Sequence, residues 1–155
     1  MKLKSLFLSL LPLIALISCT PNEGESSSQS SGNNDTIPVS LQIDWSDSFK
    51  QEEDDYLVFF YSETCEQCHQ IMGDVIAFAN SNIMQTYFSN ILSPEGKMPI
   101  VKGSESLVNV SDISEFYIAG TPTLIEVKEG TVIENIPGKD ACLTFLNNVR
   151  LNAKN

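Results

Sequence analysis

Two cysteines, Cys65 and Cys68, stand three positions apart directly after the apolar run Tyr-Leu-Val-Phe-Phe-Tyr at 56–61. The run predicts a strand, and the residues after the pair predict a helix, so Cys65 should lie where the helix begins. At that place free backbone N–H groups and the helix dipole favour a thiolate, which is the nucleophilic form of sulfur. Such a pair can cycle between a dithiol and a disulfide, and we therefore expect thiol–disulfide exchange chemistry.

The elements that must hold this pair follow from periodicity and turn residues. Apolar residues recur at spacings of three and four after Cys68, which predicts one long helix up to about residue 79. A turn at Glu129 and Gly130 separates two short apolar runs and predicts a hairpin. The mixture of strands and helices indicates an α/β fold with a central mixed sheet flanked by helices on both sides. The other predicted elements are a strand at 39–43, a helix from Asp44 or Ser46 to about 53, a helical piece at 81–88, a strand at 107–110 rather than at 98–102, a short helix capped by Ser111 or Asp112 and ending near 117, hairpin strands at 124–127 and 132–136, and a helix from about Asp140.

The first part of the chain has the pattern of a targeting segment. Lys2 and Lys4 precede an apolar stretch at 6–17 that is too short to span a bilayer as a helix. The end of the stretch, Leu-Ile-Ser followed by Cys19, resembles the bacterial lipobox, in which the cysteine receives lipid. We expect a lipoprotein signal peptide at 1–18, a lipidated Cys19 with a flexible polar linker at 19–38, and one domain at 39–155. An ordinary secretory signal with an incidental cysteine is the alternative.

The net charge of the chain excludes some classes of partner. It is −11, and removal of Lys2 and Lys4 with the signal peptide would bring it to −13. So acidic a chain argues against nucleic acid as a partner and against docking on anionic lipid through basic patches. We expect an extracytoplasmic domain held by lipid on the outer face of the plasma membrane or in the periplasm.

At 120–123 the chain reads Gly-Thr-Pro-Thr, with the predicted hairpin and last helix following. Together with the strand at 57–61 that runs into the cysteine pair, this pattern resembles the thioredoxin family over about residues 39–150. The resemblance implies a thioredoxin fold with a cis peptide bond before Pro122, which would lie against the pair. It also implies that the backbone of Thr121 binds an extended substrate strand, with Glu66 and Gln67 beside it. Cys65 would attack a substrate disulfide and Cys68 would resolve the mixed disulfide.

The chain departs from the family pattern at several positions. The buried acid that many thioredoxins carry six residues before the first cysteine is Phe59 here. Glu63 is either a substitute for that acid or an exposed loop residue. Thr64 replaces a common tryptophan, and Glu66 with Gln67 replaces Gly-Pro. Because Glu66 repels a neighbouring thiolate, we expect the pKa of Cys65 to be higher than in strongly oxidising family members. This favours a reductase or isomerase.

The remaining candidate residues are His69 and Cys142. Cys-Glu-Gln-Cys-His is also the pattern of c-type haem attachment, but haem leaves the strand and the Gly-Thr-Pro-Thr segment without a role. A zinc site of Cys65, Cys68 and either His69 or Cys142 lacks the second close ligand pair that structural zinc sites have. We expect no cofactor beyond the Cys65–Cys68 disulfide. His69 either tunes the sulfurs or is solvated, and Cys142 is either a core residue or a third redox thiol.

The function expected from the sequence is that of a membrane-anchored extracytoplasmic thiol–disulfide oxidoreductase. Its partners would be protein thiols and disulfides, together with an electron donor or acceptor in the membrane. The alternative is a non-catalytic thioredoxin-like module that binds extended polypeptides as a chaperone.

Overall fold

The computed structural model describes residues 36–94, 96–102 and 107–155. The predicted signal peptide, the predicted lipid-bearing Cys19 and most of the predicted linker lie outside the described residues. Ile37, near the end of that linker, is half buried and packs against the core. Among the described residues, no helix combines the length and the apolar composition needed to cross a bilayer.

Four strands form one mixed sheet in the order β2-β1-β3-β4. Strand β1 is parallel to β2 and antiparallel to β3, and β3 and β4 form a hairpin. The hairpin turn, Glu129 and Gly130, has positive φ at both residues (48° and 73°), the combination that tight two-residue hairpin turns require. The strands are β1 (Asp55–Tyr61), β2 (Gln85–Asn90), β3 (Thr123–Lys128) and β4 (Thr131–Pro137).

Strand β1 is central because its residues are apolar on both faces. Val58 and Phe60 lie in the core on one side of the sheet, and Leu57 and Phe59 lie in the core on the other. All four are completely buried. A strand that is covered on both faces has a continuous run of apolar residues in its sequence, and for this reason β1 was predicted correctly.

Two α-helices in the described part of the chain pack against the same side of the sheet. Helix α1 (Glu66–Ala79) and helix α2 (Lys139–Asn152) pack their apolar residues into the core that contains Leu57 and Phe59. On the opposite side the helical elements are short 3-10 helices, Trp45–Asp47 and Ile113–Glu115. The α/β class and the mixed central sheet are confirmed, and the helices that flank the second face are single turns.

Several predicted elements were wrong. The helical piece predicted at 81–88 does not form: residues 81–84 are a turn, and residues 85–88 are the start of β2, where Tyr87 and Phe88 are buried on opposite sides of the sheet, as in a strand. The strand at 107–110 does not form, although the amide of Asn109 donates to the carbonyl oxygen of Val132 (2.7 Å). The stretch at 98–102 contributes only an isolated bridge of Ile100 to Ile118.

The first two predicted elements are also shorter than expected. The strand at 39–43 is a 3-10 helix, Val39–Leu41, followed by a bridge from Gln42 to Phe88. The helix after Asp44 is one 3-10 turn whose N-terminus is capped by the Asp44 carboxylate. The Asp112 cap is confirmed, but its helix ends at Glu115. A polar residue can cap a single turn as well as a long helix. The cap residues therefore indicated where a turn begins but not how long the helix would be.

Candidate active site

A short loop from β1 to α1 places Cys65 at the N-cap of α1. The carbonyl oxygen of Ser62 accepts from the amide of Cys65 (3.1 Å), and the Ser62 hydroxyl oxygen accepts from the amide of Thr64 (3.2 Å). Ser62 is buried, and these two bonds anchor the turn to it. The carbonyl oxygen of Cys65 then accepts from the amide of His69 (3.2 Å), which begins the helix.

Cys65 and Cys68 form a disulfide, with their Cα atoms 5.2 Å apart. Cys65 is partly exposed, whereas Cys68 is completely buried. The Sγ atom of Cys65 also accepts from the backbone amide of Cys68 at 3.1 Å. In the reduced protein the same N–H would donate to a charged sulfur, and hydrogen bonds to ionised acceptors are stronger than neutral ones. Access and charge stabilisation therefore both favour Cys65 as the nucleophile.

An open groove of about 570 Å³ lies over the exposed sulfur. The predicted site residues Glu66, Gln67 and Thr121 all line it, together with Cys65. Leu92, an apolar lining residue whose surface is 48 % exposed, was not predicted from the sequence. Leu92 follows the end of β2, so an assignment of 85–90 as a strand would have placed it beside the carboxyl end of β1. The remaining lining residues are Ser62, Thr64 and Ile91.

The peptide bond between Thr121 and Pro122 is cis, as the resemblance implied. Pro122 is buried, and its carbonyl oxygen accepts from the amide of Gly138 (2.8 Å), which links this segment to the start of α2. The Thr123 hydroxyl donates to the carbonyl oxygen of Gly120 (2.7 Å). These two bonds hold the segment on both sides of the proline and fix the backbone of Thr121 at the groove.

The sequence left open which residue near the cysteines accepts a proton. Phe59 is completely buried, with its ring edge-on to Phe88 at 6.1 Å, so an apolar side chain occupies the position of the missing acid. Glu63 is exposed, as the alternative interpretation had it, and accepts from the Asn90 amide group at 3.5 Å. Burial, and then the charge of Glu63, raise the pKa of Tyr61. The side chain of His69 is exposed.

Cys142 lies in the core of the α-helical side. It is completely buried, and its thiol donates to the carbonyl oxygen of Ile136 (3.3 Å). Burial raises the pKa of the Cys142 thiol to about 11, so the sulfur is protonated and poorly nucleophilic. The core interpretation of Cys142 is confirmed. Within the part of the chain that the structure describes, no three Cys, His, Asp or Glu side chains converge in a way that could hold a metal ion.

No protein-family model matches the sequence, and no curated protein is significantly similar to it. Solved structures do match. A chain in the crystal structure of the complex between ferredoxin:thioredoxin reductase and thioredoxin f2 superposes with a TM-score of 0.50 at 14% identity, covering 71% of this chain and 94% of that one. The short form of thioredoxin f from spinach chloroplast gives 0.49 at 15% identity, covering 71% and 92%. A mutant thioredoxin from Halobacterium salinarum gives 0.47 at 16%, covering 74% and 95%.

The protein therefore has the thioredoxin fold. Its disulfide at the start of α1 fits a thioredoxin-like protein.

Proposed function

We propose that this protein is a thiol–disulfide oxidoreductase that acts on protein disulfides through Cys65 and Cys68. The observation that carries the proposal is the unequal exposure of the pair. Cys65 is partly exposed at a helix N-terminus, and it is bonded to a completely buried Cys68. A disulfide that only stabilises the fold has no need of a sulfur facing an open groove.

The exchange proceeds in two displacements. In the reduced protein the Cys65 thiolate attacks one sulfur of a substrate disulfide, which forms a mixed disulfide and releases the other substrate sulfur as a thiolate that takes up a proton. Cys68 then loses its proton and attacks Cys65 Sγ, which restores the Cys65–Cys68 disulfide and frees the second substrate thiol. Two electrons pass to the substrate, and an external dithiol returns them to the protein.

The direction of exchange follows from the charges near Cys65. Glu66 lines the groove beside the sulfur, and its carboxylate disfavours a neighbouring thiolate. A less stable thiolate makes the reduced protein a better electron donor. We therefore propose a reductase or isomerase. No cofactor besides the disulfide takes part, and a spectrum with a Soret band would contradict this.

The location is a separate part of the proposal. The sequence before the domain supports export, lipidation of Cys19 and a polar tether, which would keep the active site outside the cytoplasm near the membrane. A membrane electron donor or acceptor would then be within reach of the groove. Labelling of cells with a radioactive fatty acid tests this: the wild type should incorporate label, and Cys19→Ala should not. Equal labelling would refute the anchor.

The catalytic proposal is tested by the reduction of insulin with dithiothreitol as electron donor. The wild type should accelerate precipitation of the insulin chains, and Cys65→Ser should abolish the acceleration. Cys68→Ser, first reduced and then freed of dithiothreitol, should accumulate a mixed disulfide with insulin. Cys142→Ser removes a thiol outside the groove and serves as the matched control. Acceleration that survives Cys65→Ser would refute the proposal. Insulin binding without any acceleration would support the non-catalytic binding module instead.

A further inference from the structure

A second pocket is formed by residues that are chain neighbours of those lining the groove over Cys65. It has a volume of about 300 Å³, and its lining includes Asp44, Tyr61 and Glu63. Glu63 lies between Ser62 and Thr64, which both line the groove, so one loop contributes residues to both concavities. Residues two apart in a chain are separated by at most about 7 Å between Cα atoms. A polypeptide whose sulfur lies at Cys65 therefore places its neighbouring residues within reach of the Glu63 carboxylate.

The linings of the groove and of this pocket are acidic. They contain the carboxylates of Asp44, Glu63 and Glu66, and among the described residues that line them there is no Lys, Arg or His. Asp44 is held in place, because its two oxygens accept from the Ser46 amide (2.9 Å) and the Ser93 hydroxyl (2.7 Å). The net charge of −11 for the whole chain adds to the negative potential at this surface.

Two lysines lie outside both linings, although the residue next to each in the chain is hydrogen-bonded to a residue at or beside the groove. Lys139 follows Gly138, the partner of Pro122, and its Nζ donates to the Gln70 side chain (2.8 Å). Lys97 precedes Met98, whose amide donates to the carbonyl oxygen of Ile91 (3.3 Å). Lys97 is exposed to water and the Lys139 ammonium is held at Gln70, so both oppose the acidic potential less than a cation inside the groove would.

The groove also has one apolar contact surface. Leu92 is 48 % exposed, while the neighbouring Ile91 is 5 % exposed and belongs to the core. Leu92 therefore offers a leucine side chain to a bound segment at the same place as the sulfur. Covering its exposed half would add to the affinity for a substrate with an apolar residue near its cysteine.

We propose that this groove selects cationic polypeptide segments, with an apolar residue next to the reactive cysteine in contact with Leu92 and a lysine or arginine directed at Glu63. The inference rests on the function proposed above and specifies its substrate class. Charge complementarity sets the choice between substrates, because the sulfur chemistry itself is the same for every disulfide.

The test compares two synthetic peptides that differ in one residue. Each contains one intramolecular disulfide with a leucine beside a cysteine, and the residue two positions from that cysteine is Lys in one peptide and Glu in the other. Coulomb interactions with Glu63 and Glu66, the two carboxylates nearest Cys65 in the chain, each taken at about 10 Å, predict a kcat/KM roughly fivefold higher for the Lys peptide at about 10 mM salt. Screening should reduce the ratio to nearly one at about 1 M salt.

Matched variants assign the effect to its residues. Glu63→Gln should lower the ratio between the Lys and Glu peptides by roughly twofold, whereas Glu52→Gln should leave it unchanged. Glu52 is an exposed acid that precedes β1, at the opposite end of that strand from the site. Leu92→Ser should lower kcat/KM for both peptides by roughly fivefold. Leu151→Ser, which changes a leucine that is 60 % exposed in α2, should not.

Reduction of hydroxyethyl disulfide, a neutral small molecule, reports on the cysteines alone. The kcat/KM of each variant on the peptides is therefore divided by its kcat/KM on hydroxyethyl disulfide. A loss that persists in this quotient comes from peptide binding and supports the inference, and a loss that disappears from it overturns the inference. Equal rates on both peptides while insulin and hydroxyethyl disulfide are reduced would overturn the inference and leave the proposed function intact. Failure to reduce any of these disulfides would overturn both.

Discussion

Glu126 on β3 lies directly opposite Glu134 on β4, and Asp55 at the start of β1 is close enough to act on its carboxyl group. Burial is the largest cause that raises the pKa of Glu126, followed by the charges of Asp55 and Glu134, which Lys128 offsets in part. One carboxylate oxygen of Asp55 is buried without a hydrogen-bond partner. A glutamine at 126 would remove a like charge, and its amide group could donate to Asp55. We therefore predict that Glu126→Gln stabilises the protein at neutral pH.

The size of the effect follows from cross-strand energetics. Like charges directly opposite each other on neighbouring strands cost about 0.2–1 kcal/mol. With Glu134 opposite and Asp55 adjacent, we expect a gain of about 1 kcal/mol in the free energy of unfolding. For a domain of this size such a gain raises Tm by roughly 3–6 °C.

The stabilisation by Glu126→Gln should depend on pH. The folded protein holds the Glu126 proton more tightly than the unfolded chain does, because the folded-state pKa is raised. Ionisation of Glu126 therefore costs folding free energy as the pH rises through that pKa, and the cost is fully present above it. Below the unfolded pKa of about 4.3 both states are protonated, so the advantage of glutamine should disappear there.

Urea unfolding of the wild type and Glu126→Gln at neutral pH and at about pH 3.5 measures both parts of the prediction. Glu52→Gln, an exposed acid before β1, is the control for the loss of one negative charge. A gain that is equal at both pH values, or equally large for Glu52→Gln, would refute the reasoning from Asp55 and Glu134.

Three further predictions concern the core and the site. Phe59→Ala should lower the free energy of unfolding by about 3–5 kcal/mol, since Phe59 is completely buried against Phe88; an unchanged urea midpoint would contradict its place in the core. Cys142→Ala should cost about 1 kcal/mol and leave insulin reduction at the wild-type rate, because this thiol is buried with its pKa raised to about 11; a slower rate would indicate a redox role. Glu66→Gln should lower the pKa of Cys65 in the reduced protein, measured as thiolate absorbance during a pH titration; a pKa that stays constant or rises would show that Glu66 does not act on the sulfur.

Local patterns in the sequence were sufficient for the elements whose signals lie within one segment. The apolar run of β1, the period of α1 and the turn at Glu129 and Gly130 each specify structure through neighbours in the chain. The cysteine pair belongs to the same class, because its place at the start of α1 follows from the strand before it and the helix after it. Cys65 at the N-cap could therefore be predicted from the sequence.

Strand β2 shows where local reasoning failed. Its apolar residues, with Ile83 and Met84 before them, have spacings that suit a helix as well as a strand. Pairing with β1 decides the matter, because Tyr87 and Phe88 are opposite Val58 and Phe59 and enter the two halves of the core. No feature of residues 81–90 alone contains that information.

The sequence by itself determined the chemistry: a vicinal thiol pair at a strand-to-helix junction, a Gly-Thr-Pro-Thr segment, and an acidic chain. Only the tertiary structure decided what surrounds the sulfur, because the parallel pairing of β2 with β1 brings Leu92 to Cys65 and the packing of α2 buries Cys142. The kind of reaction that the cysteines can perform depends on residue type and on neighbours in the chain, and the sequence contains both. Exposure and selectivity depend on contacts between segments distant in the chain, which form only when the sheet is assembled.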